Sequence, residues 1–114
     1  MELQTISKMI IETAHRINEA TKVIHKMARE KAETEYAYRM ALSKEITRLK
    51  AEGMAISILY DVAKGNVADL LLERDLAEGR YKASIESMRA LQSELSALQS
   101  LLRNMEEIEV GTGQ

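Results

Sequence analysis

A chain of 114 residues with no Pro, Cys, Trp or Phe, 30% charged and only 4% aromatic, is one domain at most and has little from which to build a sheet core. The absence of cysteine excludes a disulfide framework and thiolate chemistry. A net charge of −2 is far too small for a polyanionic DNA mimic.

Ala, Leu, Glu, Lys, Met and Arg dominate, all good helix formers, and the commonest helix breaker is missing. The expected fold class is therefore all-α: a long helical hairpin with a short helix at the bend, assembling as an antiparallel coiled-coil or four-helix-bundle oligomer. The charge is unevenly spread. Residues 22–50 carry eight basic and four acidic side chains, whereas residues 51–114 carry six basic and eleven acidic. This predicts that a basic arm packs beside an acidic one, in the same chain or in a partner chain.

The first predicted helix spans about residues 4–52. Leu3, Ile6, Ile10, Ile17, Ala20, Ile24 and Met27 recur by threes and fours, and Thr5 or Ser7 is placed to cap an early turn. After Met27 the stripe is read as slipping by one position to Ala28, Ala32, Leu42, Ile46 and Leu49. Lys31 and Thr34 then stand where the first register would want apolar groups. Gly53, with Lys50 in the turn before it, marks the C-terminal cap.

A short helix, about 55–64, follows in MAISILYDVAK. Lys64-Gly65-Asn66 reads as a stop and restart, with Gly65 left-handed and Asn66 capping the next helix. That helix covers about 67–108, with Gly79 inside it as a kink or a close helix contact, and residues 110–114 are expected to fray.

Its stretch from Tyr81 to Met105 is the strongest signal in the chain. With Tyr81 at a, the a positions are Tyr81, Met88, Leu95 and Leu102, and the d positions are Ser84, Leu91, Leu98 and Met105. LQSELSA and LQSLLRN, beginning at Leu91 and Leu98, form a near-repeat of seven. Ile10, Ile17 and Ile24 belong to the matching seam of the first helix, and with Tyr81, Met88, Leu91, Leu95, Leu98, Leu102 and Met105 they make the expected oligomer seam. Two helices alone seldom bury enough surface to offset the chain entropy lost on folding. The chain is therefore expected to form a homodimer or higher homo-oligomer.

No pattern carries catalytic chemistry. Glu12-Thr13-Ala14-His15 matches Glu-x-x-His, but Glu12 falls at c and His15 at f, both outward, and no second copy exists. His15 and His25 lie on different helix faces. There is no nucleophile elbow and no Gly-rich phosphate loop. The expectation is no enzyme, no cofactor, no metal and no small-molecule ligand.

Two surfaces remain as candidates for a partner. Lys22, Lys26, Arg29, Lys44, Arg48 and Lys50 form a basic face able to meet phosphates, although Glu30, Glu33 and Glu35 interrupt it. Met54, Ile56, Ile58, Leu59 and Tyr60 are too apolar for a free loop, so they form either a small core at the bend or a protein-docking tip. The longest uncharged apolar run, Met54 to Tyr60, is far short of the roughly 20 residues that cross a bilayer. MELQTISK lacks the marks of a signal peptide. A cytoplasmic protein without membrane contact is expected.

From Ala41 onward, ALSKEITRLKAEG, ILYDVAKGNVADLLLERDLAEGRYKAS and the ALQSELSALQSLLR helix resemble small all-helical accessory proteins of bacteriophages and prophages of Gram-positive bacteria. The KGNVADL turn and the LQSxL helix carry the resemblance, which leaves residues 1–40 outside it. It implies a phage protein in the host cytoplasm that works through protein contacts, an accessory to phage DNA replication or recombination. The alternatives are an inhibitor of a host defence system or host enzyme, a nucleic-acid binder, and a virion scaffold.

Overall fold

Helix-favouring composition is realised along nearly the whole of the described chain. The computed structural model describes residues 2–112 and holds three helices, α1 (Leu3–Ala51), α2 (Ile56–Asn66) and α3 (Ala68–Thr112). No strand occurs among the described residues. Among them, too, no helix is long and apolar enough to cross a membrane.

The helix ends follow from local chemistry, not always the chemistry expected. The Ile6 N–H donates to the Glu2 carbonyl at 3.1 Å, so α1 begins before Thr5 and Ser7, which lie inside the helix instead of capping it. At the other end Gly53 has φ +84°, the only positive φ among the described residues. Its N–H donates to the Lys50 carbonyl at 3.0 Å, and the Met54 N–H donates to Leu49 at 3.1 Å. That paired bonding is the Schellman motif, and Met54 adds the apolar contact that accompanies it by packing with Leu49.

The Gly65-Asn66 restart does not occur. Helix α2 runs through both residues, and the break falls at Val67, with φ −115° and ψ 20°. Asn66 does not cap α3; its side-chain amide donates to Glu45 of α1 at 3.0 Å. Gly79 is exposed within an unbroken α3, and a Cβ there would meet nothing within 4 Å. The close helix contact expected there is not made. Val110 and Gly111 are helical where fraying was expected; residues 113 and 114 lie outside the described residues.

The chain packs as two compact units, to each of which α1 and α3 contribute. In the first, residues up to Ile24 pack antiparallel against those from Ala83 onward. Arg16 meets Glu94 at 3.5 Å, and Leu3 shares an open concavity with Met105 and Ile108. Its buried side chains are Ile6, Thr13, Ser84, Leu91 and Leu98.

The second unit, His25–Lys82, holds the best-packed core. Leu49, Leu59 and Ala63 are buried together, with Leu42, Ile46, Met54 and Val62 packed around them. Farther along, the spacing carried by Met27 continues through Lys31, Thr34 and Tyr38, while Ala28 and Ala32 are exposed. The expected slip after Met27 is therefore misplaced: it falls between Tyr38 and Leu42. Thr34 tolerates a seam position because its hydroxyl donates back to the Glu30 and Lys31 carbonyls at 2.9 and 3.1 Å.

Candidate interaction surfaces

The residues of the expected oligomer seam lie between α1 and α3 of the one chain. Leu91 and Leu98 are buried, whereas Ile10, Ile17, Ile24, Tyr81, Met88, Leu95, Leu102 and Met105 are half-buried. Ser84, the one polar d position in α3, is also buried. Half-burial along a row of large apolar side chains is what two helices achieve without a third or fourth.

The apolar stretch at the start of α2 divides in two. Leu59 is fully buried and Met54 joins the core around it. Ile56, Ile58 and Tyr60 are 73%, 51% and 48% exposed. The stretch is thus partly a core and partly an unsatisfied surface.

Ion pairs engage two of the six residues of the basic face. Lys22 bonds Glu19 at 3.0 Å, and Arg48 lies between Glu45 of its own helix and Glu52 just beyond that helix's end. Lys26 and Arg29 line a shallow hollow with His25. Together with Lys44 and Lys50 they make no ion pair among the described residues. The hydrogen bond and charge of Lys22 hold the Glu19 carboxyl below its ordinary value. Arg48, then Asn66, do the same for Glu45.

Within the single chain, the expected pairing of a basic α1 arm with an acidic later arm is reversed in the second unit. There the acidic partner is on α1 and the basic one on α3: Glu35 with Arg74 at 3.5 Å, and Glu30 with Arg80 at 3.9 Å. Of the three glutamates that interrupt the basic run, Glu30 and Glu35 are the ones that reach across. Two cation–π contacts cross the same seam in opposite directions. Lys31 of α1 lies 5.8 Å from the Tyr81 ring centre, and Arg74 of α3 lies 4.7 Å from that of Tyr38. Glu35 is held below its ordinary value first by its bond to Arg39, with Arg74 and Lys31 adding to the effect.

Glu12 and His15 are both exposed. Among the described residues, no group of three or more His, Cys, Asp or Glu side chains is arranged to hold a metal ion.

One surface escaped the sequence reading. Leu101 and Ile108, 40% and 66% exposed, stand at g of the α3 heptad. With Ala83, Ala90 and Ala97 at c they make a second row of seven-residue period, and every member is exposed. The signal was present, but the stronger a/d pattern beside it masked it. No family model, curated protein or solved structure matches the chain.

Proposed function

We propose that this is a non-enzymatic interaction protein that works as a homo-oligomer through protein–protein contacts. The observation that carries the reading is surface area. The chain exposes 8260 Å², whereas a folded monomer of 12.9 kDa exposes about 6300 Å². The difference of about 2000 Å² lies within the roughly 1000–2500 Å² that each chain of an obligate dimer buries. The half-buried seam and the exposed Ile11, Val23, Leu72, Leu76, Leu101 and Ile108 are the side chains through which that area would be covered.

The resemblance of residues 41–105 to small helical phage proteins supports placing this association beside phage DNA replication or recombination. Ion pairing of Lys22 and Arg48 along α1 counts against the basic face as a phosphate-binding surface.

The deciding experiment is sedimentation equilibrium at micromolar concentration with circular dichroism on the same sample. A mass of at least twice 12.9 kDa is expected. A fully helical chain of single mass would overturn the reading.

A further inference from the structure

The exposed row on α3 is organised in two halves about Glu94. Before it, at c positions seven residues apart, stand the small side chains Ala83 and Ala90. After it, at g positions seven apart, stand the large apolar Leu101 and Ile108, both exposed. Coiled-coil flanks usually carry charge at g, and apolar groups there call for a cover.

A row that is small in one half and large in the other is self-complementary when an identical helix is laid against it antiparallel. With the two-fold axis crossing α3 between Leu95 and Ser96, Leu101 faces Ala90 of the second copy and Ile108 faces its Ala83. Ala97 then faces Glu94. Each large side chain meets a small one, and the relation is reciprocal, as an isologous two-fold contact requires. The alanines let the two backbones approach closely. The row bears a single charge, Glu94, which Arg16 of its own chain already pairs at 3.5 Å.

From this we infer that the dimer forms through antiparallel contact of α3 with α3 along Ala83, Ala90, Ala97, Leu101 and Ile108, a second copy of this chain being the occupant of the row. The inference rests on the homo-oligomer reading above and adds the face and direction of contact. The occupant follows from the large-to-small match, which a partner of unrelated sequence has no reason to reproduce.

The test is a swap, read by sedimentation equilibrium with circular dichroism as the folding control. Leu101→Ala removes a large group and Ala90→Leu fills the space opposite it. Each alone should raise the dimer dissociation constant at least tenfold, while the double variant Ala90→Leu/Leu101→Ala should recover at least half of that loss on a logarithmic scale. Leu101→Glu/Ile108→Glu should give no dimer at concentrations where the wild type is one, because both sites are exposed in the single chain and the charges act on association. Gln99→Glu, at e on the other flank, should leave the constant unchanged. A wild-type monomer would overturn both the oligomer reading and this one. A wild-type dimer that Leu101→Glu/Ile108→Glu leaves intact, or a swap that fails to recover association, would overturn the α3 contact alone.

Discussion

The Arg74 guanidinium of α3 lies 4.7 Å from the centre of the Tyr38 ring of α1, and the same arginine reaches Glu35 at 3.5 Å. Tyr38 is buried, at 7% exposure, so the ring face is shielded from water and the cation keeps more of its attraction. Replacing Arg74 by Met keeps the stem and removes the charge. Arg74→Met should lower Tm, and Tyr38→Leu should lower it further. In a double-mutant cycle the two losses should sum to more than the loss in the double variant, which is the signature of a direct contact. Strict additivity would show that the pair is merely adjacent.

Leu59 has no exposed surface and packs with Leu49 and Ala63, whereas Ile58 beside it is 51% exposed. Leu59→Ala should cost about 2–5 kcal/mol, the range for emptying a buried leucine site. Ile58→Ala should change stability by less than about 0.5 kcal/mol in the isolated chain. Chemical denaturation of the two variants checks both values.

The glycines divide by backbone conformation. Gly53 closes the α1 end at φ +84°, where a Cβ is strained although space is open around it, so Gly53→Ala should destabilise by about 1 kcal/mol. Gly79 lies on an exposed stretch of α3 with open space around its Cα, so Gly79→Ala should stabilise by about 0.5–1 kcal/mol. Opposite signs in thermal melts are the expected outcome.

Glu19, Glu35 and Glu45 are each held below the ordinary carboxylate value by a hydrogen-bonded cation, with the Asn66 amide also contributing at Glu45. A carboxylate whose folded pKa is depressed stabilises the fold above its unfolded value, and that contribution fades as pH falls through the folded one. Tm should therefore be steady from pH 7 to about 5 and decline below about 4.3, the unfolded glutamate value. Glu35→Gln should make that decline shallower. A decline as steep in the variant as in the wild type would exclude Glu35 from the effect.

Much of this architecture could be read from residue order, and the errors share one physical origin. Tyr81 to Met105 announces its seam because nearly every a and d site is apolar, so one helix suffices to define it. The middle of α1 does not. Lys31 and Thr34 are seam residues whose polarity is tolerated only because the Tyr81 ring lies near the lysine ammonium and the helix's own carbonyls accept from the threonine. Neither partner is visible from spacing along α1. Asn66 is a good helix start by local chemistry, and a glutamate 21 positions away takes its side chain instead. The charge reversal has the same cause: block totals count every ionic group, but pairing depends on which few stand at the flank. The row of Leu101 and Ile108 was legible in principle, since its period is seven like that of its neighbour.

The crossed tyrosine contacts also bear on slippage. A heptad pair is a ruler with identical markings, and a helix displaced by seven residues finds nearly the same grip. In His25–Lys82 the markings differ. Moving α3 by one repeat in one direction would bring Arg74 level with Lys31, cation against cation, with neither ring in place to receive it. The polar inlay thus makes a single alignment of α1 and α3 much the cheapest in that unit, at the expense of some adhesive strength.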